Sequence, residues 1–210
     1  MACLISAIGF DEKFVFRSVL RRGKSQIDHV LILKPPSPDD ERTVKALHSL
    51  GSLLSEATIL MEVLEADYRN FLTALITIIS WLKKSKHTSY ILNLSSGLRV
   101  LNLEIFSSFL FLGLDAEVKA EKDFGETTLR VKDVIAQNPS LSDRKILLAI
   151  HEDENRVSDI SRKLKIPMTT AWRHVLDLQR MRYLSSNDEI ELAIKGEIYV
   201  SGVLSSLPGI

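Results

Sequence analysis

The feature that most constrains the fold is a fourfold alternation of short apolar runs with amphipathic helical segments in the first 112 residues. The apolar runs are residues 3–8, 29–33 and 58–63, and a fourth begins at residue 90. The segments after them carry apolar residues at helical spacing and are residues 14–22, 39–54, 67–84 and 98–112. Strands alternating with helices predict an α/β fold with a parallel sheet that helices cover on both faces.

The pattern changes after the fourth helix. Residues 116–121 and 127–132 alternate polar and apolar side chains on either side of a turn at residues 123–126. Such alternation predicts a half-exposed hairpin added to the edge of the sheet. A hinge is predicted around Asn138 and Pro139. We therefore place a first domain at residues 1–133, a linker at 134–142 and a second domain at 143–210.

The second domain has the pattern of a winged helix-turn-helix. Three helices are predicted, at residues 143–150, 157–164 and 169–182. Ser158 is the expected N-cap of the second helix. The third helix is expected to bury Ala171, Val175 and Leu178. A hairpin at residues 183–192 and a last helix at residues 194–207 complete the motif.

The composition excludes several classes of protein. With 27 basic and 27 acidic residues in 210, the chain has no formal net charge, which excludes a uniformly basic nucleic-acid coat. Its single cysteine, Cys3, cannot form an internal disulfide, so we expect a cytoplasmic protein in which Cys3 is a small buried side chain. No uninterrupted apolar segment reaches membrane-spanning length, and residues 1–8 are expected to form a strand rather than a leader.

Residues 90–102 form a strand, a tight turn and the start of an amphipathic helix, and the turn suits an anion. Gly97 lets backbone approach a ligand, while Ser95 and Ser96 offer hydroxyl groups. The N–H groups that open the helix favour negative charge. Arg99, near the second helical position, adds a planar fork suited to phosphate. The alternative is an ordinary strand-to-helix turn with a solvated arginine.

Signatures of catalysis and of cofactors are missing from the sequence. The G-x-G-x-x-G fingerprint follows neither the first strand nor the fourth, so no nicotinamide or flavin dinucleotide is expected, and there is no Walker loop. No nucleophile elbow and no paired carboxylates are found. The histidines have no metal-ligand spacing, and each is expected to be a surface or capping residue: His29, His48, His87, His151 and His174. We therefore expect a binding domain without cofactor, metal or enzymatic activity.

The second domain carries the electrostatic signature of DNA binding. Seven basic residues between positions 156 and 182 accompany only two acidic ones, Asp159 and Asp177. A basic segment in a neutral protein predicts phosphate contacts. The first turns of the third helix would enter a major groove, where Arg173 suits a guanine edge. We assign DNA binding to Arg162, Lys163, Thr169, Thr170, Trp172, Arg173 and Arg180.

Two alternatives stay open for this domain. The winged helix would also suit a protein–protein module. For Trp172, which adjoins the core positions, the alternative to DNA contact is packing against that core. The wing carries Asp188, Glu189 and Glu191, so it is a poor clamp for phosphate. Recognition of DNA would therefore rest on the third helix.

Taken together, these motifs resemble one known family across essentially the whole chain. A Rossmann-like domain fused to a winged helix is similar to the CRISPR-associated Rossmann-fold (CARF) transcription regulators, above all the archaeal group that controls CRISPR-associated operons. The family motif after the first strand is matched by Gly9, Phe10, Asp11 and Phe14. Its second motif has Asp or Asn, Ser or Thr, Gly and then Arg or Lys, matched by Asn93, Ser95, Gly97 and Arg99. Ser96 departs from the pattern, since many members carry a second glycine there.

The resemblance implies a homodimer whose paired sheet ends form a two-fold site for a cyclic oligoadenylate, with the tetra-adenylate expected, and double-stranded promoter DNA as the second partner. It assigns ligand binding to Gly9, Phe10, Asp11, Phe14, Asn93, Ser95, Ser96, Gly97, Leu98, Arg99 and Asn102. A two-fold phosphate ring would meet two copies of the same turn, as an isologous interface requires. The expected protein is a transcription regulator whose DNA affinity depends on its ligand.

Three rival functions fit the same sequence. Some CARF domains are ring nucleases that cut the cyclic ligand through its own 2′-hydroxyl, and here Lys13, Ser95 and Arg99 would supply positioning and charge. The second rival is a regulator that senses an unrelated small molecule through the same fold. The third is a DNA-binding scaffold whose sensor domain has no ligand.

Overall fold

The computed structural model describes residues 1–9, 12–23, 25–36, 41–122, 125–135, 137, 139–185 and 189–204. The chain divides into two compact units, Met1–Lys132 and Asp133–Ile210. Within the described residues, no helix has both the length and the apolar character that a membrane crossing requires.

The first unit is a six-stranded sheet flanked by helices. Its strands are β1 (Ala2–Ala7), β2 (Ile27–Lys34), β3 (Leu60–Glu65), β4 (Tyr90–Asn93), β5 (Glu117–Lys122) and β6 (Gly125–Arg130). Its helices are α1 (Lys13–Arg22), α2 (Glu41–Glu56), α3 (Phe71–Lys84) and α4 (Arg99–Leu112). The strand order is β3-β2-β1-β4-β5-β6, with parallel pairs from β3 to β5 and an antiparallel β5–β6 hairpin. The predicted Rossmann-like sheet with an added C-terminal hairpin is confirmed.

The central strands are buried because helices cover both faces. Every residue of β1 and of β4 is buried. On one face, Leu4, Val30 and Ile32 form an apolar cluster with side chains of α1 and α2. On the other face, α3 and α4 bury Ala74, Ile78, Leu82, Leu101, Ile105 and Phe109. Burial on both faces explains why these strands appear in the sequence as continuous apolar runs.

The edge strand β3 is partly exposed, so the expectation that helices cover the whole sheet is wrong for this strand. Leu60 is 64% exposed and Val63 is 39% exposed. The reason is position, since β3 is the last strand on its side of the sheet. Leu20 and Phe71, apolar residues of the segments predicted to be amphipathic helices, are also exposed. Leu20 lies next to Val19 on α1, where a helical step of one residue turns a side chain well away from the buried face.

Several element ends differ from the prediction. The helix α3 begins at Phe71 rather than at residue 67, because the Asn70 side chain accepts a hydrogen bond from the Thr73 N–H (3.1 Å) and caps the helix there. The expected start of α2 at residues 37–39 lies outside the described residues, as do Asp123 and Phe124 of the hairpin turn.

The second unit is a small helical domain. After the short helix α5 (Val131–Val134), its helices are α6 (Leu141–His151), α7 (Val157–Leu164), α8 (Met168–Arg180) and α9 (Ile194–Tyr199), followed by a π-helical turn, Val200–Leu204. The three predicted core positions of α8 are confirmed, since Ala171, Val175 and Leu178 are fully buried. They pack in one cluster with Ile146, Leu147, Ile150, Ile160, Tyr183 and Tyr199.

The capping and wing predictions need correction. Ser158 lies inside α7 and is not its N-cap, because Arg156 has the extended backbone and Val157 is already helical. The expected hairpin is a single antiparallel bridge between Leu184 and Leu192 in the described residues. Its turn residues Ser186, Asn187 and Asp188 lie outside them, as do Asn138 of the expected hinge and residues 205–210.

Candidate functional site

The two central strands, β1 and β4, end side by side at the carboxyl edge of the sheet. They are adjacent and parallel, with Ser6 paired to Asn93. From this pair the sheet extends through β2 to β3 on one side and through β5 to β6 on the other. Neighbouring strands whose connections diverge leave a crevice at their carboxyl ends, which is where open α/β sheets bind ligands.

The turn after β4 packs directly onto the end of β1. Gly97 has a φ of +77°, and a Cβ atom on it would lie 2.5 Å from the Cβ of Ala7 and 2.7 Å from its carbonyl carbon. Gly9 meets the same turn, since a Cβ there would lie 3.2 Å from the Gly97 backbone nitrogen. Glycine is therefore required at position 97 by both conformation and space. Gly9 of the first predicted motif and Gly97 of the second therefore pack against each other.

Asn93 joins the end of β4 to both neighbouring segments. It is fully buried, and its side-chain amide donates to the Phe14 carbonyl (3.3 Å) while its Oδ1 accepts from the Ser95 N–H (3.2 Å). The Ser6 hydroxyl donates to the Asn93 carbonyl (3.0 Å). Asn93 therefore holds the turn and the start of α1 in place, so it positions the crevice through backbone contacts.

Asn102 fixes the other side of the turn. From the first turn of α4, its side-chain amide donates to the carbonyls of Leu94 (3.2 Å) and Ser96 (2.9 Å). Its Oδ1 is buried and has no hydrogen-bond partner among the described residues. A buried amide oxygen without a donor costs free energy. Asn102 occupies the Leu94 and Ser96 carbonyls, and Asn93 occupies the Ser95 N–H. Among the described residues, the backbone N–H groups of Ser96 and Gly97 have no hydrogen-bond acceptor.

The serine hydroxyls are less available than the sequence indicates. Ser95 Oγ accepts a hydrogen bond from the Glu121 N–H (2.8 Å) and so ties the turn to β5. Ser96 is buried. Ser95 keeps its O–H as a donor, because a hydroxyl can accept and donate at the same time.

Arg99 is the first residue of α4, and it is exposed. No hydrogen bond or ion pair connects its side chain to another residue in the described part of the chain. The residue before it, Leu98, occupies the N-cap and makes no side-chain capping bond. The N–H groups of the first helical turn therefore lack a capping acceptor, which together with the Arg99 guanidinium gives an anion-binding arrangement.

The described residues of the predicted ligand site lie at the end of β4 and in the two segments that follow β1 and β4. They are Gly9, Phe14, Asn93, Ser95, Ser96, Gly97, Leu98, Arg99 and Asn102. Phe10 and Asp11 lie outside the described residues. The half-buried Phe14 ring faces the Arg17 guanidinium at 5.9 Å. Lys13, named for the nuclease alternative, is the first residue of α1.

In the second unit, α7 and α8 are joined by a tight turn at Lys165, which has a φ of +53°. On the first turns of α8, Thr169 and Arg173 are exposed and Thr170 is half-buried. Trp172 is 50% exposed, so about half of its surface is accessible to a partner. The exposed face of α8 thus presents the residues that the sequence assigned to base contacts.

Ion pairs occupy part of the predicted basic surface. Arg162 pairs with Asp159 (3.3 Å), and Arg180 pairs with Asp177 (3.0 Å). Lys163 contacts two further carboxylates, Glu152 (2.9 Å) and Glu154 (3.2 Å). Hydrogen bonding to Glu152 raises the pKa of the Lys163 ammonium group. Exposed pairs of this kind are weak, so these cations remain able to exchange partners.

Arg173 differs from these paired cations. Its exposed side chain has no hydrogen-bond or ion-pair partner in the described ranges. It lies on the second turn of α8, one residue from Trp172. An unpaired guanidinium on an exposed helix face is available for a base edge or a phosphate without first breaking an ion pair.

Sequence reasoning missed two histidine sites. His174 Nδ1 lies 2.7 Å from Asp143 Oδ1, and Asp143 also closes a capping box with Ser140 at the start of α6. His29 and His87 contact each other, with Nδ1 and Nε2 2.8 Å apart. The expectation of surface histidines is wrong for the buried His29, and His87 and His174 are half-buried, whereas His48 and His151 are exposed as expected. The helical period of α8 indicated a face that packs against other helices, which is the signal that could have located the His174 contact. The spacing of residues 29 and 87 along the chain gave no such signal, because strand register brings these two histidines together.

The family comparison identifies the first unit. A family model for the Csa3 CRISPR-associated Rossmann-like domain matches residues 2–132. The chain belongs to this family. The resemblance to CARF proteins is thereby confirmed for the Rossmann-like domain, and no curated protein matches the chain.

Three solved structures are similar to the Csa3-family chain at low identity. Can2 from Sulfobacillus thermosulfidooxidans, in complex with cyclic tetra-adenylate, is 9% identical with a TM-score of 0.45, and the match covers 96% of this chain and 64% of that one. A Vibrio cholerae protein is 15% identical with a TM-score of 0.47 and the same coverages of 96% and 64%. Enterococcus italicus Csm6, bound to cyclic hexa-2′-fluoro-hexa-dAMP, is 14% identical with a TM-score of 0.45, over 89% of this chain and 57% of that one. The chain spans less than two thirds of the length of each.

Proposed function

We propose that this Csa3-family protein is a homodimeric DNA-binding regulator of CRISPR-associated genes. Its DNA affinity is controlled by a cyclic oligoadenylate, and cyclic tetra-adenylate is the ligand that we expect. The observation that carries the proposal is the packing of the Gly97 turn onto the end of β1 beside Arg99, which is exposed and has no partner within the described residues. Family membership gives the CRISPR association, and the resemblance to CARF regulators gives the ligand class.

The chemistry of the crevice suits phosphodiesters. The Gly97 turn and the first turn of α4 supply N–H donors, the Arg99 fork supplies a charge, and Asn102 occupies the competing carbonyls. Binding an anion here does not require a basic protein, since backbone donors and one arginine provide the attraction. A cyclic tetranucleotide with two-fold symmetry would be contacted by the same turn from each of two chains.

The second unit supplies the DNA-binding part of the proposal. We assign its α7–turn–α8 segment and the Leu184–Leu192 bridge to a winged helix-turn-helix, with α8 as the recognition helix. Arg173 and Thr169 are exposed where a recognition helix contacts base edges. Two such helices in a dimer would read two half-sites related by two-fold symmetry.

A ligand-controlled regulator requires coupling between its ligand site and its DNA site, and this coupling can be measured. If cyclic tetra-adenylate changes the affinity for operator DNA by some factor, DNA must change the affinity for the ligand by the same factor. The experiment titrates the full chain with labelled operator DNA at fixed salt, with and without saturating ligand, and then titrates ligand with and without DNA. The proposal is supported if ligand and DNA change each other's affinity by the same factor and this factor differs from one. Identical ligand affinities in the two titrations would contradict it.

A ring nuclease is the second candidate function. Lys13 and Arg99 each open a helix next to the crevice, and Ser95 keeps a free donor there, so the ligand's 2′-hydroxyl and phosphate would meet positive charge. Incubation of the protein with labelled cyclic tetra-adenylate separates the candidates. Linear products formed in proportion to enzyme, and lost in Lys13→Ala, support the nuclease; intact ligand after many binding half-lives supports the regulator.

A further inference from the structure

Three metal-ligating side chains meet at the amino edge of the sheet, opposite the edge that carries the Gly97 turn. Cys3, His29 and His87 each offer one ligand atom, and these atoms all lie within 4.8 Å of one another. Cys3 is near the start of β1, His29 is near the start of β2, and His87 lies in the segment before β4. The cluster is therefore separate from the candidate oligoadenylate site.

Strand register holds the cluster together. Cys3 and His29 are direct neighbours in the parallel β1–β2 pair, so their side chains project from the same face of the sheet. The Cys3 N–H donates to the Ser89 carbonyl (3.0 Å), which fixes the segment that carries His87. The ligands thus sit on backbone that the sheet itself positions, a requirement for a precise metal site.

The ring nitrogens of the two histidines divide into an inner and an outer pair. The inner atoms, His29 Nδ1 and His87 Nε2, face each other at 2.8 Å. The outer atoms face carboxylates, with His29 Nε2 3.4 Å from Glu62 Oε2 and His87 Nδ1 4.0 Å from Asp28 Oδ1. Metal-bound histidines commonly donate their outer N–H to a carboxylate, which orients the ring and strengthens the nitrogen that binds the metal.

Glu62 is itself held in place. The Trp81 indole N–H donates to its Oε1 (2.8 Å), and the Trp81 ring lies against His29 with a centroid separation of 5.9 Å. Cys3 is fully buried and His29 is 7% exposed. His29 Nε2 is buried without a hydrogen bond among the described residues, although Glu62 is at ion-pair distance. A metal on His29 Nδ1 would place the ring proton on Nε2, and Glu62 Oε2 is the carboxylate oxygen towards which that N–H would donate.

We propose that Cys3 Sγ, His29 Nδ1 and His87 Nε2 bind a Zn²⁺ ion. Binding releases the Cys3 thiol proton to solvent, and the two imidazoles bind as neutral rings with their outer N–H groups towards Glu62 and Asp28. One thiolate and two imidazoles match zinc, whereas Mg²⁺ and Ca²⁺ prefer all-oxygen sites. Three protein ligands leave one tetrahedral position for water or another small ligand.

The ligand atoms lie within 4.8 Å of one another, so some separations must shorten by up to about 1 Å and one must lengthen before they can bind a single ion. In a tetrahedral site the ligand atoms are separated by about 3.3–3.6 Å, given zinc bond lengths of about 2.0–2.3 Å. The 2.8 Å contact between His29 Nδ1 and His87 Nε2 must open by roughly half an ångström to reach that spacing. His87 lies on a connecting segment and its side chain is 22% exposed, so its ring is the part able to move.

The test uses chelator-treated full-length protein titrated with Zn²⁺ alone, followed by calorimetry and by thermal unfolding. We expect one equivalent per chain and a higher Tm. Co²⁺ in place of Zn²⁺ should give thiolate-to-metal charge-transfer absorption in the near ultraviolet, because only a bound cysteine produces it. His87→Gln should weaken Zn²⁺ binding by about 100-fold or more, and Glu62→Gln by about tenfold.

Two further variants make the result specific. Cys3→Ser removes the thiolate and should abolish the Co²⁺ charge-transfer band, while His48→Ala, an exposed histidine on α2, should bind Zn²⁺ like wild type. If Cys3→Ser fails to fold, Zn²⁺ binding by His87→Gln still tests the proposal. His87 lies on a connecting segment, so we expect its substitution to leave the fold intact. No Zn²⁺ binding by folded wild type, or full binding by His87→Gln, would overturn the proposal.

Discussion

Gly97 and Ala7 are packed so closely that a single methyl group on Gly97 would lie 2.5 Å from the Ala7 Cβ and 2.9 Å from the Ala7 carbonyl oxygen. The contact joins the turn after β4 to the end of β1 and fixes where the first N–H groups of α4 point. The phosphate-binding arrangement is therefore built from backbone packing before any side chain contributes.

Gly97→Ala should disrupt this contact. The substitution combines an unfavourable positive φ with a clash against backbone, so we expect a loss of about 2–5 kcal/mol in the free energy of unfolding and loss of ligand binding. Gly113→Ala is the matched control, since Gly113 has a φ of +63° with no atom within 4 Å of the added Cβ. It should cost only about 1–2 kcal/mol. Equal losses in the two variants, measured by urea unfolding, would rule out close packing as the cause.

Arg173 should contribute more to DNA binding than the paired Arg180. We expect Arg173→Ala to weaken operator binding by about 5- to 150-fold, since a lost base contact costs about 1–3 kcal/mol. Arg180 already pairs with Asp177, so Arg180→Ala should cost less. Arg173→Lys separates base reading from charge, because lysine keeps the charge but loses the fork. Fluorescence anisotropy on operator and on scrambled DNA at one salt concentration measures these effects; equal losses on both sequences would show phosphate contact only.

Asp143 should contribute strongly to the stability of the second unit. It accepts from Ser140 in the capping box of α6 and lies 2.7 Å from His174 Nδ1 of α8. Asp143→Ala should destabilise this unit by about 2–3 kcal/mol, as the sum of a lost cap and a lost partly buried hydrogen bond. Asp177→Ala, which removes an exposed pair, should cost under about 1 kcal/mol. Thermal unfolding compares them, and similar values would show that the α6–α8 link contributes nothing.

Glu104 makes the stability of the first unit depend on pH. It is fully buried on α4, and neither carboxylate oxygen has a partner among the described residues. Burial raises its pKa above the ordinary value of 4.5, and the negative charge of Asp67 adds to the increase. Below pH 4.5 both the folded and the unfolded chain hold the proton. As the pH rises further, the unfolded chain ionises first, so stability falls until the folded pKa is passed.

Substitution of Glu104 should remove this dependence. Glu104→Met should raise the free energy of unfolding at neutral pH by about 1–3 kcal/mol, because it replaces an unpartnered polar group with an apolar chain of similar length. Glu104→Gln should flatten the decline above pH 4.5 while keeping a buried polar group. Urea unfolding across a pH series measures both, and an unchanged slope in Glu104→Gln would exclude Glu104 as the group responsible.

The sheet and the turn were predictable because they depend on local pattern. Apolar runs buried on both faces and a Ser-Ser-Gly break before a helical period specify strand, turn and helix without knowledge of the partners. The glycine at position 97 was predicted to let backbone approach a ligand, whereas in the structure it has a positive φ and packs on Ala7.

Contacts set by tertiary register were not predictable. Ser95 bonds to Glu121 because β5 lies beside β4, and nothing near Ser95 in the sequence encodes that neighbour. Cys3, His29 and His87 meet for the same reason, across three separate segments. The pairing of Lys163 was missed because its acidic partners, Glu152 and Glu154, precede the basic segment along the chain.

The most direct test of the ligand site is a calorimetric titration of the full chain with cyclic tetra-adenylate. Wild type should bind one ligand per two chains. Arg99→Ala should weaken binding by about tenfold or more without changing the Tm, because Arg99 is exposed and its loss removes one charged hydrogen bond. Lys84→Ala, at the opposite end of the sheet, should bind like wild type. One ligand per chain, or equal affinity in wild type and Arg99→Ala, would contradict a two-fold phosphate site at the Gly97 turn.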